Sequence, residues 1–476
     1  MGTLFSGLNS SLDALRAFQN ALNVSQNNVS NSSTPGYSAQ KAILEALPFD
    51  PSSGMGGGVV AGPTQSTDSQ YADAAVRNQL EAQAGYTAQS NALASIQPLF
   101  DVSGQTGVLG ALNTLFNSFS AWSANPSSSA TQQGVLSSAQ ALGSAFQSAA
   151  SSLSQLTGSL NQQINSTVSQ INTLSQQIAA DNKQIGQSLT PDPDVEANLQ
   201  ASLDSLSQLT DITVRFETDG TATVLAGGQT PLVIGQQQYD LSTGFSDSGT
   251  NPIPGGVANA HILGANGEDV TSQISQGTLG GLLNVRNTVL PGLQGNGQQQ
   301  GALNQLAQQV ADRVNAILTS AQTATGGAGA PLFSYNSSSP ADIASTLTLD
   351  PNITPSGLAP VDPGPPQVGN GAALDLSNLG NSTDPTDTIN GQSILTFSAN
   401  LAETAGQQGA NAQNGQSLAT QQLSQAQALQ TQISGVSLDG EAIQVMELQK
   451  GYDAAGKMVS VIDQLASALL NMIPAA

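Results

Sequence analysis

His261 is the only histidine in this 476-residue chain, and cysteine is absent. A Ser-His-Asp arrangement would rest wholly on His261 as general base, yet it falls in a short alternating stretch that reads as a strand. Asp192 and Asp194 could serve as the paired carboxylates of a glycosidase. They flank Pro193 in a helix-breaking turn, so a solvated loop is the plainer reading. Gly54, Gly56, Gly57 and Gly58 neither follow a strand nor open a helix, and do not match a phosphate-cradling loop. The Asp-rich loops lack the spacing of a calcium site, and thiolate ligation is impossible without cysteine. We therefore expect no catalytic group, no cofactor and no metal, and a function carried by surfaces.

Net charge is -23, but only 9% of residues are charged, and Lys plus Arg number 9. Those nine are scattered from Arg16 to Lys457. With no basic patch to neutralise phosphates, nucleic acid is not expected as a partner. The acidic balance also argues against docking on anionic lipid. No run approaches the ~18 apolar residues that span a bilayer, so no membrane anchoring is expected. Nor is a secretory signal expected, because no continuous apolar stretch precedes a small-residue cleavage site. Met1-Gly2-Thr3-Leu4-Phe5-Ser6 fits a myristoylation pattern formally, but the same residues begin an amphipathic helix. Ser, Gln, Asn, Thr and Gly supply most of the polarity, and weakly charged surfaces of this kind allow copies to pack closely.

The elements that present those surfaces follow from periodicity. Leu4, Leu8, Leu12, Leu15, Phe18, Leu22 and Val29 define one helical face, with Leu8, Leu15, Leu22 and Val29 in heptad register. That helix should end near Asn27-Asn28, before the turn-rich Ser30 to Tyr37, where Pro35 keeps Thr34 out of the helical region. Pro48 to Gly62 reads as an exposed, glycine-rich loop. Helical pattern returns over 67–124 and again over 131–187. In the latter, Leu153, Leu160 and Leu174 share one heptad row and Ile164, Ile171, Ile178 and Ile185 another, as in a long packed rod. After a short helix (195–209) the period changes to two. Ile212, Val214 and Phe216, the Asp219-Gly220 turn, and strands near 221–225, 232–234 and 260–263 form a small β module. Helix resumes over 282–293, 303–321 and 393–433. Between them, 325–390 is rich in Gly, Pro, Ser and Asp, which predicts a loop-like or disordered spacer.

The last segment carries the strongest pattern. Val445, Leu448, Tyr452, Ala455, Val459, Ile462, Ala466, Leu469 and Ile473 alternate spacings of three and four without a miss, as in a coiled-coil seam. Glu447, Lys450, Asp453, Lys457 and Asp463 all fall off it. Core packing is the ordinary explanation of such a stripe, but two seams at opposite ends of one chain favour partner packing. A lone helix does not offset its own ordering entropy. Both ends are thus expected to be loose in the monomer and to order on assembly, against each other and against neighbouring copies.

The fold class expected is mainly α with a small β insertion: a long helical rod built from N- and C-terminal segments and closed by terminal coiled-coil helices. Its ends resemble those of the axial proteins of the bacterial flagellum. The N-terminal resemblance lies in Leu8-Asn9 through Asn28, Asn31, Thr34, Pro35, Gly36 and Tyr37. The C-terminal one runs from Leu438-Asp439-Gly440-Glu441-Ala442 through Tyr452, Lys457, Ile462 and Leu469-Leu470. The interior is similar to the hook–filament junction branch of that family, at Leu160-Asn161 to Ile178, Asp211 to Val214, Pro231-Leu232-Val233 and Gly277 to Leu283. Ala39 stands where an Arg is common, and the β module is short.

The resemblance implies a structural subunit, not an enzyme. It implies an inner-tube domain (1–40 with 437–476), a rod (41–210 with 271–436) and a β insertion (211–270). Implied partners are other copies in a ring at the hook tip, hook protein, hook-associated protein 3, and an export chaperone on the C-terminal helix. Export through the flagellar type III channel would place the protein outside the cell. The assembly seams would be Leu8, Leu12, Leu15, Phe18, Leu22 and Val29, and Val445, Leu448, Tyr452, Val459, Ile462, Leu469 and Ile473. A sister axial protein, such as hook protein or a flagellin, is the alternative. A surface adhesin and a peptidoglycan hydrolase are more distant ones.

Overall fold

The computed structural model describes residues 2–50, 55–100, 106–188, 192–246, 253–254 and 256–471. Helix α1 (Gly2–Asn31) runs one turn past the expected stop. The chain then turns through Gly36, whose φ of +76° suits glycine. The stretch expected as an exposed loop is instead a long antiparallel hairpin, β1 (Gln40–Asp50) with β2 (Met55–Ser66), laid along α1. Its glycines permit close approach. Ser10 Oγ donates to the Gly57 carbonyl at 2.6 Å, and a Cβ on Gly58 would stand 3.2 Å from that of Ser10. Pro63 sits where the register shifts, a bulge that needs no ladder N–H.

Four helices follow: α2 (Gln70–Ala94), α3 (Gly107–Ala124), α4 (Ser129–Gln187) and α5 (Pro193–Leu209). The 59 residues of α4 make a rod about 90 Å long at 1.5 Å per residue. Its two predicted rows are its core face: Leu153, Leu160, Ile164, Ile171 and Ile178 are fully buried, and Leu174 and Ile185 pack at the margin. Asp192 and Asp194, expected in a solvated loop, open a helix. Asp192 caps α5 by accepting from the Asp194 N–H at 3.1 Å, with Pro193 in the first turn.

The β module is β3 (Ile212–Phe216), β4 (Ala222–Ala226), β5 (Thr230–Ile234) and β6 (Gln237–Gln238), paired antiparallel in that order. A separate pair, β7 (Ser242–Gly244) with β8 (His261–Leu263), lies beside it. Val224, Leu232, Val233 and Ile262 join the same buried core as α4. Asn182 of α4 fastens the sheet from below. Its Nδ2 donates to the carbonyls of Ala222 and Gly235, and its Oδ1 accepts from the Ala222 N–H, all within 2.7 Å. Helix α6 (Gly277–Asn284) then passes through a π turn (Val285–Val289) into α7 (Leu290–Leu293), followed by α8 (Ala302–Ser320).

The 325–390 segment is the largest departure from expectation. It contains β9 (Phe333–Ser334), α9 (Ile343–Thr346), β10 (Thr348–Leu349) and α10 (Gly371–Leu379), and it is packed rather than loose. Leu332, Phe333, Ile343, Leu347, Leu358 and Leu376 are buried in the main core. Its Gly, Pro and Asp residues specify tight turns between these anchors, which are too irregularly spaced for any period to reveal. Helix α11 (Ile394–Ser434) returns along α2, and α12 (Leu438–Asn471) returns along α1.

Phe333→Ala should therefore destabilise the whole chain by ~3–5 kcal/mol in denaturant unfolding. A change below about 0.5 kcal/mol is what a loose spacer would give.

Candidate assembly surface

α1 and α12 are antiparallel. Ser25 and Asn28 meet Glu441, Phe18 lies over Gly451, and Ile462 reaches Gly7. A Cβ on Gly451 would stand 2.9 Å from the Phe18 ring, so glycine lets the ring rest on the helix backbone. The enclosed interior of the pair is small. Ala17, Ala21, Leu22, Leu448 and Ala455 are buried, with Phe18, Val445 and Ala42 of β1 packed around its centre.

The structure treats the predicted seam residues unequally. Leu22 and Leu448 are buried, and Leu8, Leu15, Phe18, Val445, Val459 and Ile462 are half-buried between the two helices. Leu12, Val29, Tyr452 and Leu469 are exposed, and Ile473 lies outside the described residues. On α1 the contacts with its partner come from Gly7, Phe18, Leu22, Ser25 and Asn28. Leu12 sits at the edge of the contact. A second side of α12, not singled out from the sequence, carries Met458, Val461 and Leu465, each roughly half exposed. Spacings of three and four make these one stripe.

The turn motif is the polar latch of this pair. Asn28, 1% exposed, uses its whole amide. Nδ2 donates to the Gln40 carbonyl at 2.8 Å and to Glu441 Oε1 at 2.7 Å; Oδ1 accepts from the Gln40 N–H at 2.8 Å and from the Tyr37 hydroxyl at 2.9 Å. Ser25 Oγ donates to the other Glu441 oxygen. Burial, with Asp194 and Glu441 nearby, pushes the Tyr37 phenol up to about 12, so it remains a donor. Asn31 accepts from Thr34 Oγ1 at 3.1 Å and closes the turn, while Pro35 is exposed. A Cβ on Gly36 would stand 2.3 Å from the Ala197 carbonyl oxygen of α5. Local sequence pattern pairs neither Gln40 nor Glu441 with Asn28, nor Ser25 with Glu441. The only signal was that Ser25 and Asn28 continue the face of Ala17 and Ala21, and that Glu441 lies in the C-terminal motif.

The residues first weighed for chemistry lie elsewhere. His261 Nδ1 is 2.7 Å from Asp269 Oδ2 at the edge of β8, and Asp192 is spent as a helix cap. Among the described residues no group of three or more His, Asp or Glu is placed to hold a metal ion, and no helix is long and apolar enough to cross a membrane.

Comparison with known proteins gives consistent matches. The family described as "Flagellar hook-associated protein FlgK helical domain" matches residues 93–333, and "Flagellar basal body rod FlgEFG protein C-terminal" matches 426–472. Flagellar hook-associated protein 1 of Bacillus subtilis (strain 168) is 26% identical over 515 residues, 99% of either chain. Its counterpart in Salmonella typhimurium is 25% identical over 357 residues, 72% of this chain and 62% of that one. The structure of the flagellar hook junction protein FlgK from Burkholderia pseudomallei superposes with a TM-score of 0.63 at 17% identity. It covers 75% of this chain and 100% of that one, a likeness of fold.

Asn28→Ala would leave the Glu441 carboxylate buried with a donor removed, a cost of ~1–3 kcal/mol. Trypsin should then cut α12 at Lys450 and Lys457 about tenfold faster or more, with Glu441→Gln less affected. Equal cutting rates would mean that the latch does not hold α12.

Proposed function

The chain belongs to the flagellar hook-associated protein FlgK family, and from that premise we propose how its terminal helices make it the subunit that joins hook to filament. It is a structural protein of the bacterial flagellum, and its role is non-catalytic. The observation that carries the reading is the second apolar stripe on α12, Met458, Val461 and Leu465. This stripe stays open after α1 has occupied the first. Among the described residues nothing covers it, and an open apolar stripe marks a contact surface. Equivalent α1–α12 pairs on neighbouring copies cover it when the subunits form a ring.

In this reading, residues 1–40 with 437–476 form the inner-tube domain, 41–210 with 271–436 the rod, and 211–270 the β insertion. The hairpin 40–66 extends the inner module, since it packs on α1. Leu12, Val29, Tyr452 and Leu469, exposed at the edges of the pair, are contacts between copies. The ring sits on hook protein and presents its far side to hook-associated protein 3. Before assembly the open stripe is an aggregation hazard, and an export chaperone on the C-terminal helix covers it. The protein reaches this place outside the cell through the flagellar type III channel.

Val461→Asp or Leu465→Asp should leave the monomer within about 0.5 kcal/mol of the parent, since both sites are exposed, yet abolish swimming. Ile462→Asp should do so too, but with a less stable monomer, because Ile462 faces α1. Cells lacking the protein should keep intact hooks and shed filament protein into the medium. Normal motility with Val461→Asp and Leu465→Asp together would sink the proposal.

A further inference from the structure

Three contacts fix how α1 and α12 lie against each other. Gly7 meets Ile462, Phe18 meets Gly451, and Asn28 meets Glu441. Eleven residues forward along α1 match eleven back along α12, and the next ten match ten. The pair is therefore antiparallel without a slip, and each residue of α1 has a definite level on α12. Counted from these contacts, Arg16 is level with Asp453, Leu12 with Lys457 and Phe5 with Gln464.

Each helix keeps an exposed side. On α1 it holds Phe5, which is 63% exposed, Leu12, and Arg16, whose side chain is 81% exposed. Spacings of seven and four put these three on one side of the helix. On α12, Lys457, Val461 and Leu465 follow at intervals of four beside Met458, and all are exposed. Both sides carry charge at their margin. Asp13 and Arg16 lie 3.6 Å apart, one turn along α1. Asp453 and Lys457 are exposed and one turn apart on α12. In both helices the acid comes before the base. Such pairs set each acid against a base when the helices run antiparallel, and like against like when they run parallel.

Resting on the reading that copies of this chain cover the open stripe, we propose that its occupant is α1 of the next copy, held in register by charge: Asp13 and Arg16 of one copy meet Lys457 and Asp453 of the next, at the level they have within one chain. Three registers, one heptad apart, compete. At the in-chain level Phe5 falls beside Leu465 and Leu12 beside Met458, and both charge pairs match. One heptad toward the start of α12 the charges still match, at Glu447 and Lys450, but Leu12 rests on Lys450. One heptad the other way, Asp13 comes level with Asp463 and Arg16 with Ser460. Only the first register satisfies apolar and charged groups together. Exposed ion pairs add little affinity, whereas opposed like charges are costly. The apolar contact therefore supplies the binding, and the charges choose the register. Two different sides are joined, so the contact is heterologous and repeats from copy to copy.

The chain has no cysteine, so introduced pairs report without background. A disulfide needs Cα atoms within about 7 Å. In flagella isolated from cells making the full-length variant, Leu12→Cys with Met458→Cys should oxidise into a ladder of linked copies. Phe5→Cys with Leu465→Cys is an independent second pair and should do the same. Leu12→Cys with Lys450→Cys should give about a tenth of that yield or less. A bond within one chain gives no ladder. Arg16→Asp added to the first pair should cut the ladder about tenfold, and Asp453→Arg added to that should restore it to within about twofold. A ladder from the Lys450 pair instead, or one that Asp453→Arg fails to restore, overturns the register while the stripe stands as a contact between copies. No ladder from any pair overturns the contact of α1 with α12 of the next copy as well.

Discussion

Glu441 is buried at the start of α12 and held by Ser25 and Asn28 of α1, a contact spanning 413 residues of sequence for Asn28. The architecture depends on this contact, because it fixes the register of the two terminal helices. An apolar seam of small residues can slide by a heptad at modest cost. A buried carboxylate with two donors cannot, since any slip leaves charge and amide unpaired in a dry place. The same Asn28 amide holds the Gln40 backbone and the Tyr37 hydroxyl. One side chain thus sets the helix pair, the turn and the start of the hairpin together.

From that register the outward faces follow. With Ala17, Ala21, Leu22, Ser25 and Asn28 buried, Leu12 and Val29 are left exposed at the margin, and α12 leaves Met458, Val461 and Leu465 open. The pair has little interior of its own, whereas the rod behind it is anchored by fully buried Trp122, Phe119 and Phe146. A firm rod and a thinly packed tip suit a subunit whose ends complete their packing only among copies. Where the two meet, Asp73 and Arg77 of α2 are buried.

Local pattern was enough for the long helices and their order, because long periodic stretches carry their own burial pattern, but it missed α9 and α10 and read α2 and α3 as one stretch. The rows of α4, the alternation of Ile212, Val214 and Phe216, and the break at Pro193 all needed only local information. The turn at Pro35-Gly36 was equally legible, as were the two terminal stripes and the flagellar resemblance they carry. Tertiary structure decided what no period encodes. It showed Gly57 and Gly58 to be a strand pressed on α1, and 325–390 to be a packed segment. It also made Glu441 the partner of Asn28, and buried Leu448 of the C-terminal stripe while leaving Tyr452 and Leu469 exposed. In each case the deciding quantity is a distance between residues far apart in sequence, and a local pattern of residue types holds no record of such a distance.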